Sequence, residues 1–332
     1  MNVTVLGSGG WGTALAILLC ENGNKVFLWS HNPKEAKRLE ETRKNPLLPE
    51  IDISKEIILT SDFRSILESE VIVFATPSFA VRETANKIRP FLTAEKTLVS
   101  VSKGIEKETS LRLSEVIRQE TELCPIVALT GPTHAEEVAR HMPTACVAAS
   151  ENREAAEKIQ DLFLNERFRV YASPDMIGAE LGAAMKNVMA LCTGCCTGLG
   201  YGDNTKAMIM TRGLVEIARL GVALGGKRET FAGLAGMGDL IVTCTSTNSR
   251  NYRAGVLMGQ GMPVKDAIAS IGAVVEGYYA LDSARMLAKK VSVEMPITEA
   301  AYQVVYEGKA VETVLHELMR REKRHEIEES WV

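Results

Sequence analysis

One lysine, Lys186, stands in a run of glycine, alanine and methionine, GAELGAAMKNVMALCTG over residues 178–194. At helical spacing it stacks over Gly182 and Ala183, with Met189 and Ala190 on its other side. Such neighbours half-bury a cation. Desolvation disfavours the ammonium and lowers its pKa. A lysine brought down from ~10.4 toward neutrality can give or take a proton. The competing reading lays the stem on apolar surface and leaves the charged end in water. The helix by itself does not choose between them.

A second group of residues suits phosphate. GSGGWG is Gly7-x-Gly9-x-x-Gly12, placed after the strand-like VTVLG (3–7) and opening the helical WGTALAILLCENG (11–23). That context is what a dinucleotide fingerprint requires. Gly7 permits the tight turn, Gly9 lets backbone approach a pyrophosphate, and Gly12 lets helix and strand pack closely. The helix N-terminus then offers free N–H groups to the anion. The next strand, KVFLW (25–29), ends in Ser30, His31 and Asn32, with Lys34 nearby. An NAD-specific site usually places a carboxylate here for the ribose hydroxyl. Its absence, with several donors in its place, favours NADP(H) and leaves NAD(H) possible.

In open parallel sheets the ligand sits beyond the carboxyl ends of the strands. VFATPS ends in Thr76, Pro77 and Ser78; VSVSKG in Ser102, Lys103 and Gly104; ALTGPTHAEEVA supplies Gly131, Thr133, His134 and Ala135. Lys103 stands where a strand-end cation faces the crevice, although a surface turn lysine would look the same. Thr133 is the expected N-cap of the following helix, and His134 a surface or capping residue. Further on, GLAGMGDLIVTC places Asp239 after a glycine-rich turn, and TSTNSRNYRAG contains Ser249, Arg250 and Asn251. With Ser249 as cap, an arginine fork beside free helix N–H groups makes a phosphate site. A normally capped surface helix is the plainer alternative.

The elements that must position these residues follow from the alternation of the chain. Residues 71–77, 97–104, 125–132, 144–150 and 168–173 are further strand-like runs, most of them followed by helix-forming sequence, and 32–45 reads as an exposed helix opened by proline. This pattern predicts a mostly parallel sheet covered on both faces. After Pro174 strand-like runs nearly vanish, and helices are predicted over 178–199, 204–225, 251–260, 264–270, 276–290, 297–307 and 311–323. The expected division is an α/β domain over 1–176 and an all-α domain over 177–332. With 38 basic and 42 acidic residues the net charge is −4, so no general basic field exists for nucleic acid or an anionic membrane. The start lacks a basic signal-peptide region, and no apolar run approaches a membrane span. Seven scattered cysteines without zinc spacing suggest free thiols, no metal site and the cytoplasm.

Taken together, these blocks resemble the bacterial-type soluble NAD(P)-dependent glycerol-3-phosphate dehydrogenases. The resemblance runs nearly end to end and rests on GSGGWGTALA, VSKGIE, LTGPTHAEEVA, GAELGAAMKNVMAL, GLAGMGDLIVTCTSTNSRN and VVEG. It implies a Rossmann-type domain, a helical second domain, an active site between them and a homodimer. It implies reversible reduction of dihydroxyacetone phosphate to sn-glycerol 3-phosphate, for phospholipid synthesis. The family's proton donor falls on Lys186. Its substrate contacts fall on Lys103, Gly131, Thr133, Asp239, Ser249, Arg250 and Asn251. Its cofactor contacts fall on Gly10, Trp11, His31, Lys103, Ala135, Arg250, Val274 and Glu276. Leu47 departs from the pattern, because many relatives carry an aromatic residue there. Three alternatives remain at this stage. Hydroxyacid dehydrogenases share the helix lysine followed by asparagine. UDP-sugar dehydrogenases need a nucleophilic cysteine, for which Cys244 is the candidate. A non-catalytic nucleotide-binding module would keep only the glycine loop.

Overall fold

The valine- and isoleucine-rich runs of the first half pair side by side. The computed structural model describes residues 1–122, 124–323 and 325–326. Its strands are β1 (Asn2–Leu6), β2 (Lys25–Trp29), β3 (Lys44–Asn45), β4 (Leu48–Asp52), β5 (Ile58–Thr60), β6 (Val71–Phe74), β7 (Thr97–Ser100), β8 (Ile126–Thr130), β9 (Thr144–Ala149) and β10 (Phe168–Ser173). Eight of them form one sheet in the order β10-β9-β8-β7-β6-β1-β2-β5. Val71 and Val73 bury themselves on one face and Ile72 and Phe74 on the other. A strand covered on both faces has no reason to alternate polar with apolar residues.

The helices that cover the sheet are α1 (Gly10–Glu21), α2 (Pro33–Thr42), α3 (Ser65–Glu68), α4 (Val81–Ile88), α5 (Leu113–Thr121), α6 (Ala135–Ala139) and α7 (Arg153–Phe163). Within the eight-stranded sheet, neighbouring strands are parallel except β8 and β9, which pair antiparallel with Ala128 opposite Ala149. The five-residue α6 is too short to carry the chain back along the sheet. β9 therefore re-enters at the end where β8 left it.

The helix expected over 32–45 ends earlier, at Thr42. Arg43 adopts a left-handed conformation with φ 54° and stops it. The chain then turns into the β3–β4 hairpin, which the sequence reading did not foresee. Buried Asn45 ties that hairpin to the glycine loop. Its Nδ2 donates to the Ser8 carbonyl at 3.0 Å and to Thr13 Oγ1 at 2.7 Å. The three-residue edge strand β5 was also unforeseen.

After Ser173 the described chain is helical: α8 (Met176–Gly198), α9 (Asp203–Ala223), α10 (Arg228–Ala232), α11 (Asp239–Thr245), α12 (Arg250–Gly259), α13 (Val264–Ser270), α14 (Glu276–Lys290), α15 (Pro296–Glu307) and α16 (Val311–Met319). A single wide turn, Leu234–Gly238, joins α10 to α11. The helix predicted over 311–323 stops at Met319. Part of the charged stretch after it, residues 327–330 and Arg324, lies outside the described residues.

α8 is the axis of this half and is buried over most of its length. Asp175 caps it, accepting from Gly178 N at 2.9 Å, and also holds Lys227 N at 2.8 Å and Thr230 Oγ1 at 2.6 Å. α12 lies directly on α8. A Cβ on Gly194 would stand 2.2 Å from the Tyr252 carbonyl oxygen, and one on Gly255 2.2 Å from that of Leu191. Only glycine lets the two backbones approach so closely.

Candidate active site

α8 brings Lys186 to a polar pocket in its otherwise apolar surroundings. The side chain is buried, with the residue only 5 % exposed, so the snorkelling alternative fails. Its Nζ donates to Asp239 Oδ1 and, at 2.8 Å, to Thr243 Oγ1. Asp239 is fully buried at the start of α11. Thr243 follows one turn later on the same face, as the i, i+4 spacing requires. Its hydroxyl donates back to the Asp239 carbonyl at 2.6 Å, so toward Lys186 it can only accept. The sequence reading passed over Thr243; its spacing from Asp239 was the available signal.

The other carboxylate oxygen of Asp239 receives Lys103. That lysine leaves the end of β7 and donates to Asp239 Oδ2 at 2.8 Å, to the Gly131 carbonyl at 2.8 Å and to Thr133 Oγ1 at 3.3 Å. One buried carboxylate thus holds two lysines, one from the sheet and one from the helical half. Burial is the largest influence on Lys186 and pushes its pKa down to about 7. Asp239 opposes this and the charge of Lys103 adds to it.

Thr133 is not the N-cap the sequence suggested. α6 begins at Ala135, His134 occupies the cap position, and Thr133 Oγ1 donates to the Gly131 carbonyl at 3.1 Å. The turn at Gly131, φ 149°, points that hydroxyl at Lys103 instead of at the helix. His134 Nε2 lies 3.2 Å from the Val242 carbonyl on α11, linking the two halves beside Asp239.

Ser249 does cap α12, accepting from Tyr252 N at 3.2 Å. Arg250 stands exposed at the first turn of that helix. Asn251 is buried and its side chain is already engaged. Its Nδ2 donates to Asn187 Oδ1 at 3.0 Å, and its Oδ1 accepts from Gly277 N at 2.8 Å. Asn251 therefore locks α12 to α8 and α14. Glu276, the first residue of α14, accepts from Ser78 N at 3.2 Å and Ser78 Oγ at 2.6 Å. Burial raises its pKa. Val274 lies partly buried just before it.

The glycine loop fits a dinucleotide. Gly7 has φ 121°, and a Cβ on Gly12 would stand 1.9 Å from the Gly7 carbonyl oxygen, so α1 packs hard against β1. A Cβ on Gly9 would meet nothing within 4 Å, which leaves that backbone open to a ligand. α1 has no acidic residue in its first turn and no side-chain cap. Its N–H groups and positive dipole end are available to an anion. The indole Nε1 of Trp11 is buried without a partner. Gly10 and Ala135 adjoin each other, and the exposed Leu47 overhangs Gly10 from the hairpin. At the end of β2, Ser30 is buried and Asn32 caps α2, so His31 and Lys34 are the exposed donors.

Cys244 is fully buried, and burial pushes its thiol up to about 12, which disqualifies it as a nucleophile.

Comparison with known proteins shows the family. Residues 2–156 match the family model described as NAD-dependent glycerol-3-phosphate dehydrogenase N-terminus, and residues 175–316 match the corresponding C-terminus. The glycerol-3-phosphate dehydrogenase [NAD(P)+] of Moorella thermoacetica is 50% identical over 329 residues, covering 98% of both chains. That of Desulfitobacterium hafniense is 48% identical over 328 residues, 98% of this chain and 93% of its own. The crystal structure of glycerol-3-phosphate dehydrogenase from Coxiella burnetii superposes with a TM-score of 0.93 at 37% identity, covering 96% of this chain and 99% of that one. The chain belongs to the NAD-dependent glycerol-3-phosphate dehydrogenase family.

Proposed function

We propose that Lys186 is the proton donor in the reduction of dihydroxyacetone phosphate to sn-glycerol 3-phosphate, and the proton acceptor in the reverse reaction. The observation that supports this most directly is a buried lysine sharing one buried carboxylate, Asp239, with the strand-end Lys103. The chain is an oxidoreductase that uses NAD(P)H. When bound, the reduced nicotinamide supplies the hydride for C2. The glycine loop, Trp11 and the α1 N-terminus would hold the pyrophosphate side, with His31, Ala135, Val274 and Glu276 as further contacts. Exposed His31 and Lys34, with no carboxylate at the end of β2, favour NADPH over NADH.

Lys186 stabilises negative charge on the substrate oxygen as it develops and then gives it a proton. Lys103 and Asp239 orient the carbonyl end, with Gly131 and Thr133 fixing Lys103. Arg250 and the start of α12, capped by Ser249, hold the phosphate, and Asn251 keeps that helix start in place. The division at residues 176 and 177 then separates a cofactor domain from a substrate domain. We further infer a homodimer, a cytoplasmic location suited to seven free thiols, and a product supplied to glycerophospholipid synthesis.

The test is oxidation of NADPH and of NADH by purified protein with dihydroxyacetone phosphate. Lys186→Ala should lower kcat by roughly 10²–10⁴ while cofactor affinity, read by fluorescence, stays within a few fold. Near-normal turnover would remove Lys186 from its role. Arg250→Ala should raise KM for dihydroxyacetone phosphate by about tenfold or more, the worth of a charge-assisted hydrogen bond. Turnover of dihydroxyacetone, which lacks the phosphate, should be unchanged. Equal losses on both substrates would move the phosphate elsewhere.

A further inference from the structure

The helical half carries a cavity of about 250 Å³, open to solvent at one end, between α8, α9, α15 and α16. Lys186 and Asp239 do not line it. Its inner wall is Leu191, Cys195, Ile209, Val305 and Val314, all buried. The remaining uncharged wall is aliphatic, methionine, proline or cysteine, with no aromatic ring among the described lining residues. Its volume is many times that of one water molecule, and covering walls this apolar with an apolar guest removes them from water. Without a ring to stack on, a flat aromatic guest gains nothing special. The one carboxylate deep in the wall, Glu216, is occupied: it accepts from Ile297 N at 2.7 Å and Thr298 N at 3.3 Å.

The solvent end carries three arginines among carboxylates, with exposed Glu322 in its lining. Arg212, Arg219 and Arg321 line the cavity and are each partly or fully exposed. Arg212 faces Glu326 at 3.5 Å and Arg321 faces Glu294 at 3.6 Å, while Arg219 donates to the Glu294 carbonyl at 2.7 Å. Exposed ion pairs as long as those of Arg212 and Arg321 contribute little. Guanidinium forks bind carboxylate and phosphate bidentately. We propose that this cavity is a second ligand site, which takes the alkyl chain of an anionic amphiphile between α8, α9, α15 and α16 and its carboxylate or phosphate head on the arginines at the rim. The ligand would pack on Leu191, five residues beyond Lys186 on the same helix, and so about 7–8 Å along its axis. The inference is independent of the reaction assigned to Lys186.

The probes are decanoate, decyl phosphate and decanol, each below its micelle or solubility limit, titrated calorimetrically into the full-length protein. The expected result is one anion bound per chain, with decanol about tenfold weaker, as loss of a charge-assisted contact implies. A preference between the two anions identifies the head group. Ala301→Phe fills the cavity and should weaken all three probes by about tenfold or more. Arg212→Gln with Arg321→Gln should bring the anions down to the affinity of decanol and leave decanol unchanged. That surface pair keeps the test decisive if Ala301→Phe does not fold. Dihydroxyacetone phosphate turnover without amphiphile should be unaltered in every variant. Several probes per chain, equal affinity for decanoate and decanol, or indifference to Ala301→Phe would each overturn the site. So would binding that appears only in a chain shortened at Glu326, or only as a dimer dissociates in the ultracentrifuge. Those results would give the cavity to the chain's own end or to a second copy.

Discussion

Lys186 is a cation held away from water, and that sets its pH behaviour. Burial lowers its pKa from the ordinary 10.5 to about 7, against the pull of Asp239. A group that must give a proton works below its pKa, and one that must take a proton works above it. Reduction of dihydroxyacetone phosphate should therefore slow as pH rises through about 7, and oxidation of glycerol 3-phosphate should quicken over the same range. The measurement is kcat/KM against pH in both directions. Profiles flat between pH 6 and 9 would place the proton transfer on another group. Thr243 sharpens the same residue, because a hydroxyl spent on the Asp239 carbonyl can only accept from Nζ.

At the scale of elements, Glu216 is a cap delivered from a distance. α15 begins at Pro296 with no side-chain cap of its own, and its free Ile297 and Thr298 N–H groups point at a carboxylate from α9. Burial raises the pKa of Glu216 from 4.5 to about 7. The unfolded chain releases this proton near 4.5 and the folded chain keeps it until about 7. Over that window the folded state binds more protons, so this group's contribution makes stability fall as pH rises. The full effect is about 3 kcal/mol at most. Glu216→Gln should flatten the dependence of urea unfolding on pH between 5 and 7. An unchanged slope there would assign the dependence to other carboxylates.

At the scale of the molecule, a few buried polar links join the sheet to the helices. Arg112, at the start of α5, meets Glu180 of α8 at 2.7 Å, and Ser114 donates to the same carboxylate through its N at 2.8 Å and its Oγ at 2.5 Å. Removing one partner leaves the other charge buried. Arg112→Met should cost about 3–5 kcal/mol, and Arg112→Met with Glu180→Gln should recover much of it. Denaturant midpoints measure both. A double variant as unstable as the single one would mean that packing, not charge, makes this link. Ser78 and Glu276 also join the halves, between the end of β6 and the start of α14.

Much of this protein is written in short-range sequence. Period and punctuation placed most of the strands, from β1 to the last, and the helices from α8 onward except the short α10 and α11, whose five and seven residues carry too little periodicity to show. Gly7, Gly9 and Gly12 announced the tight turn between β1 and α1 because steric freedom at a turn is a local property. The blocks around Lys103, Lys186 and Asp239 identified the family. Where the reading failed, the deciding contacts were remote. Arg43 turns the chain into a hairpin that Asn45 anchors on Ser8 and Thr13. A short α6 reverses β9, and Gly131 aims Thr133 at Lys103 and away from the helix end. The balance on Lys186 was equally out of reach. A helix pattern marks a lysine among apolar neighbours, but whether it reaches water depends on what α11 lays over it. Sequence determined most of the elements that form and most of the residues that can do chemistry, since propensity and glycine sterics act over a few residues. The tertiary structure alone decided that Lys103 and Lys186 meet on one carboxylate, because only the packing of elements far apart in the chain sets those distances and excludes water from them.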